Sequence, residues 1–172
     1  MTVLRELHPE SLGDITGLQR LLEATPEYAR RVTGNDPQPT DASNILEALP
    51  PLLTRSNKLG LGTWDEPTDT LLAFCDVLHN WPHPGVAHVG LLLVHGQHQG
   101  KGLGRLLHDH VVERALAWRD VDTLRLSIVA TNAEIAEPFW QALDYHPTGE
   151  TAPYTAGNVE STAAIWERPL PR

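Results

Sequence analysis

Six consecutive residues, Gln99, Gly100, Lys101, Gly102, Leu103 and Gly104, have the types and the spacing to grip a phosphate. Glycines let a chain turn tightly and bring its backbone N–H groups close to an anion. The flanking residues point the same way. Val89 to Val94 is an apolar run, and Leu103, Leu106, Leu107, Val111 and Leu116 recur at helical spacing. A buried strand, a glycine turn and an amphipathic helix, in that order, bring unpaired N–H groups and the positive end of a helix dipole to one point.

Three phosphate motifs can be told apart by spacing. A Walker loop needs Ser or Thr after its Gly-Lys pair. Here Gly102 follows Lys101, and Gly96 is one residue too close. A dinucleotide fingerprint needs G-x-G-x-x-G; Gly100, Gly102 and Gly104 run G-x-G-x-G and Arg105 follows. The remaining pattern, Q-x-x-G-x-G, agrees with Gln99 to Gly104. It resembles the acetyl-CoA pyrophosphate loop of the GNAT superfamily of N-acetyltransferases, [R/Q]-x-x-G-x-[G/A]. In that family the loop follows a strand ending L-x-V, as Leu92-Leu93-Val94 does, and opens a helix with paired leucines, as Arg105-Leu106-Leu107 does. A second stretch, Asn132 to Tyr145, is similar to the family's N-x-x-A-x-x-F-Y-x-x-x-G-F. Asn132, Phe139 and Tyr145 match; one residue is inserted before Phe139, Asp144 stands for the Gly and Trp140 for the Tyr. That Tyr often protonates the departing thiolate in the family, and an indole N–H is no acid at neutral pH.

The resemblance implies an α+β fold: a mixed, mostly antiparallel central sheet flanked by helices, the GNAT-like acyl-CoA N-acyltransferase fold, as one domain over residues 1–172. It implies direct transfer from acetyl-CoA, the acetyl donor, to a primary amine of a small molecule, peptide or protein. The coenzyme would lie on Leu92, Leu93, Val94, Gln99, Gly100, Lys101, Gly102, Leu103, Gly104, Arg105, Asn132, Phe139 and Trp140. The Val94 N–H would polarise the thioester carbonyl as an oxyanion donor. Asn132 would contact the pantetheine arm and can also cap a helix. Tyr28, with Arg30 and Arg31, would line the acceptor side, and Trp81 could stack on the acceptor. The alternative is a non-catalytic acyl-CoA-binding sensor or scaffold of the same fold, for which Trp140 speaks.

The base is less legible. A histidine titrates near neutrality, and His88 and His95 flank the central strand. Strand alternation would put His88, Gly90, Leu92 and Val94 on one face and His95 on the other, so His88 ranks first. Tyr145 and Tyr154 are fallback acids. Nine histidines raise a metal reading. His79 and His83 flank prolines, and His108 and His110 would face apart on a helix, so no metal is assigned.

The elements needed to hold these residues follow from periodicity and breakers. Thr2 to Leu7 reads as a strand and Asp14 as the cap of a first helix. Pro26 should end it, leaving a loop from Glu27 to Pro39. Asp41 or Ser43 should cap a second helix. Leu59–Trp64 and Leu71–Leu78 read as a hairpin, followed by a strand over Val86–Val94 and a helix to about Trp118. A strand over Leu124–Val129, a helix over Asn132–Leu143 and two last strands complete the order, with Pro153, Gly157 and Asn158 between those two.

Composition bounds the rest. A chain of 172 residues with 41% apolar content can bury a core. A net charge of −9 argues against a nucleic-acid partner. The single Cys75 excludes an internal disulfide and fits a reducing compartment. With no signal peptide in Met1–Leu12 and no run of membrane-spanning length, the cytoplasm is expected. A homodimer is left open.

Overall fold

The apolar run ahead of the glycines forms the middle strand of a seven-stranded sheet. The computed structural model describes residues 1–171; Arg172, the last residue of the expected domain, lies outside the described residues. The strands are β1 (Thr2–Glu6), β2 (Lys58–Asp65), β3 (Thr70–His79), β4 (Val86–Val94), β5 (Thr123–Val129), β6 (His146–Ala156) and β7 (Val159–Pro169). They lie in the order β1-β2-β3-β4-β5-β7-β6. All neighbours pair antiparallel except β4 and β5, which run parallel. A parallel pair needs a crossover, and α4 (Leu103–Ala117) supplies it. The remaining helices are α1 (Leu12–Ala24), α2 (Pro26–Thr33), α3 (Asp41–Glu47) and α5 (Ala133–Ala142). The mixed, mostly antiparallel α+β class is as expected.

Three helices, not two, precede β2. Pro26 starts α2 instead of opening a loop, because the first helical position needs no N–H. The helix stops at Gly34, whose φ of 76° is left-handed. Ser11, not Asp14, caps α1: its Oγ accepts from the Asp14 N–H at 3.2 Å. The Asp14 carboxylate accepts from the His8 N–H. Thr40 precedes α3 in place of Asp41 or Ser43. Pro153 lies inside β6 opposite Thr162, which the edge position of that strand tolerates.

The sheet buries an apolar layer on each face. One layer joins Leu59, Cys75, Ala87, Val89 and Leu126 to Leu107 and Val111 of α4 and Trp140 of α5. The other joins Phe74 and Leu93 to Leu18 and Leu21 of α1 and Leu46 of α3. β4 changes phase between them. Asp76 of β3 pairs with Leu91 while Val77 pairs with Val89, so Gly90 is an extra, unmatched residue. A bulge of one residue inverts the alternation that follows. Leu92 and Val94 therefore join the α4 face with Ala87 and Val89, while His88 shares the opposite face with Leu91 and Leu93. This corrects the alternation read from sequence, which had His88, Leu92 and Val94 together.

Under α4, His108 and Tyr145 are both wholly buried, and His108 Nε2 lies 2.8 Å from the Tyr145 hydroxyl. Tyr145 thus packs in the core, and burial raises its pKa; a fallback acid role does not fit. We predict that Tyr145→Phe destabilises the protein by about 1–3 kcal/mol, because it leaves a buried ring nitrogen unpaired. Urea unfolding measures this, and an unchanged midpoint contradicts it.

Candidate active site

The glycines of the loop meet two different demands. Gly100 and Gly102 have φ of 76° and 84°, a region side chains rarely enter. A Cβ at either would meet nothing within 4 Å, so backbone conformation alone selects glycine there. At Gly104 a Cβ would lie 3.0 Å from the Phe139 ring and 3.4 Å from Val94. Close packing of α4 on α5 and β4 selects that glycine.

Gly102 is the N-cap of α4 and offers no side chain to the first turn. The first helical bond runs from the Leu106 N–H to the Gly102 carbonyl at 3.0 Å. The N–H groups of Leu103, Gly104 and Arg105 have no carbonyl of their own helix to bind. Together with the helix dipole they form an anion cradle.

The loop is pinned to the end of β4. Gln99 Nε2 donates to the Val94 carbonyl at 3.2 Å, and the Thr25 hydroxyl donates to the same oxygen at 3.4 Å. The Gly96 N–H donates to Thr25 Oγ1 at 3.1 Å. On the other edge the His95 N–H donates to the Leu72 carbonyl at 2.7 Å. Alternation along a strand therefore turns the N–H of Val94, and that of Leu92, away from β3.

They turn toward an opening. β4 and β5 pair only from Val86↔Thr123 to Val89↔Leu126. Beyond that point the strands part, and a cleft of about 640 Å³ opens between them. Every residue expected on the coenzyme lines it except Lys101. Tyr28 lines it too, with Glu27 and Arg31 of α2. Arg31 reaches across the cleft, its Nε donating to Asn132 Oδ1 at 2.6 Å. Asn132 holds the N-cap position of α5, yet its side chain makes no capping bond.

The cleft also takes in residues that sequence reading passed over: Thr25, Glu27, Gly90, His98, Ser127 and Ile135. Period-two alternation along β5, with Leu124, Leu126 and Ile128 inward, was the signal available for Ser127. Thr25 and Glu27 carried none, because Pro26 read as a break.

His88 and Trp81 are not among the lining residues. His88 Nδ1 lies 2.9 Å from a guanidinium nitrogen of Arg125, which can only donate. The His88 ring meets Trp81 edge-on at 4.7 Å, and Arg125 lies 5.4 Å from that indole. Burial, then the Arg125 charge, lowers the His88 pKa to about 3. At neutral pH this ring is uncharged, with one lone pair committed, and is a poor base. The Tyr154 hydroxyl donates to the Val32 carbonyl at 2.8 Å, so its proton is committed as well. Trp140 packs edge-on against Phe139, His108 and Tyr145 at 4.9, 5.9 and 5.1 Å.

A sheet parted beside a helix-borne anion cradle gives a cleft with an anion-binding end. The sequence pattern of the acetyltransferase (GNAT) family matches residues 19–145, and the chain belongs to that family. No curated protein sequence matches it. Solved structures do. An acetyltransferase from Thermus thermophilus is 23% identical, with a TM-score of 0.73 over 99% of this chain and 97% of that one. The ribosomal-protein-S18-alanine N-acetyltransferase of Escherichia coli is 18% identical, with a TM-score of 0.68 over 100% and 96%. An N-acetyltransferase from Staphylococcus aureus is 17% identical, with a TM-score of 0.71 over 99% of both chains. These structures share the fold.

Proposed function

We propose that this acetyltransferase moves the acetyl group of acetyl-CoA directly to a primary amine. The observation that carries the reading is the run of unpaired N–H groups at the start of α4, opening straight into the cleft between β4 and β5. The diphosphate sits on that cradle. The pantetheine arm lies along the free edge of β4, between Leu92 and Val94 on one side and Asn132 and Phe139 on the other. The Val94 N–H faces the opening and polarises the thioester carbonyl as charge develops on oxygen. The acceptor amine enters beside Glu27, Tyr28 and Arg31. Residues 1–172 act as one catalytic unit, in a reducing compartment such as the cytoplasm.

One observation favours a second reading. Trp140 stands where the motif that this stretch resembles has a Tyr, and it is packed in an aromatic cluster. A protein that binds acyl-CoA and transfers nothing would look like this too. Calorimetry with CoA, followed by thiol release from acetyl-CoA across a panel of small amines, lysine peptides and a peptide with a free alanine amine, separates the two. We expect CoA binding and thiol release with at least one acceptor class. Binding without release on the whole panel supports the sensor.

A further inference from the structure

The bulge in β4 sets a buried carboxylate directly behind one residue of the cleft wall, although Asp76 itself is not among the residues lining the cleft. Gly90, the unmatched residue, is exposed and lines the cleft. A Cβ on Gly90 would lie 2.9 Å from Asp76 Oδ2. The Asp76 carboxylate thus fills the space that any side chain at position 90 would take. Its other oxygen, Oδ1, lies 3.3 Å from Lys58 Nζ, and Lys58 also donates to the Ala48 carbonyl at 2.6 Å. One oxygen is buried beside the Lys58 ammonium without a hydrogen bond, and the other is turned toward β4. The side chains of Lys58 and Asp76 are 7% and 12% exposed. A buried ion pair is a poor source of stability, since desolvation offsets most of its attraction. A carboxylate kept there beside a glycine window calls for a functional account.

We propose that Asp76 is the general base of the transfer, taking the proton from the acceptor ammonium at Gly90. The proposal rests on the transferase reading above. Asp76 stands opposite Leu91, one residue from Leu92, where the N–H groups of β4 begin to face the opening. In the step, an N–H bond of the ammonium breaks and its proton passes to Asp76 Oδ2. The freed lone pair forms the C–N bond on the thioester carbonyl carbon, and the C–S bond breaks. The second nitrogen proton ends on the departing sulfur, and Asp76 returns its own to solvent.

The charged neighbours of Asp76 are Lys58 on β2 and Arg55 in the turn before it. β4 presents Gly90 and Leu91, which carry no charge, and His88 further along, which is neutral. Burial raises the Asp76 pKa, against the lowering effect of the two cations. A raised pKa makes a stronger base, and kcat/KM then falls as pH drops through it.

Asp76→Asn removes the proton acceptor at nearly constant shape, and Gly90→Ala places a methyl 2.9 Å from Oδ2, so that the carboxylate must shift away from the window. We expect Asp76→Asn to lower kcat/KM by about 100-fold and to erase the acid limb of its pH profile, with CoA affinity by calorimetry unchanged. Gly90→Ala should lower kcat/KM in the same assay while keeping the fold and the affinity for CoA. Asp76→Asn that keeps its acid limb, or Gly90→Ala that turns over as fast as the parent, overturns the base alone. A parent protein that binds CoA and releases no thiol on the amine panel overturns the transferase reading, and the base with it.

Discussion

Replacing Gly102 with glutamate is expected to abolish CoA binding in a protein that still folds. Two effects act together. The residue has a φ of 84°, where a side chain costs about 1–2 kcal/mol of backbone strain. The space around it is open, so the glutamate is accommodated without disturbing the core. A carboxylate then stands at the N-terminus of α4, on the amides proposed to hold the diphosphate, and repels it. A loss of affinity of at least about 100-fold corresponds to about 2.7 kcal/mol. Gly102→Ala is the control: it carries the strain without the charge and should lose far less. Calorimetry with CoA reads both, beside a thermal melt. A folded Gly102→Glu variant with parental affinity would remove the cradle from the account.

Mild acid is expected to weaken the fold through His88 and His108. Burial lowers their pKa values from 6.5 to about 3 and about 4. Arg125 adds to the shift at His88, and Arg168 adds to it at His108. The folded state keeps both rings neutral, whereas the unfolded chain protonates them below about pH 6.5. The unfolded state therefore binds more protons, and stability drops as pH falls from 6.5 toward 4. For each buried ring the loss at pH 4 is on the order of 2–3 kcal/mol. Asp76 acts in the opposite sense: its raised pKa disfavours the fold above the ordinary carboxylate range, and acid relieves that. Urea midpoints at pH 7, 5 and 4 measure the loss, and proton NMR of the imidazoles assigns it. A ring titrating near 6.5 in the folded protein would contradict the account for that residue.

Most of the fold could be read from the sequence because strong periodic runs and glycines marked it. The run Val89–Val94, the glycines to Gly104 and the leucines after them became β4, the loop and α4. What sequence reading missed turned on single residues whose roles are set by position. Pro26 breaks a helix in its interior but starts one at its first turn, and this hid α2 and with it Glu27 at the cleft wall. Gly90 reads as one more strand residue, yet it is the bulge, and the bulge decides which face His88 occupies. A count of alternating residues cannot detect one that has no partner on the next strand. The identity of His88 as a titratable residue was plain; its coupling to Arg125 depends on the parallel pairing of β4 with β5, where the two residues stand opposite each other.

The brief parallel contact between β4 and β5 has a mechanical consequence. Four residue pairs, from Val86↔Thr123 to Val89↔Leu126, are all that joins the two strands in register. Beyond that seam, β1 to β4 on one side and β5 to β7 on the other are tied through α2, by Arg31 to Asn132 and by Tyr154 to the Val32 carbonyl. The thioester arm proposed for the gap would work as the missing slat, bonding to edges that the polypeptide itself leaves bare. Occupancy would then brace the architecture as well as fill it.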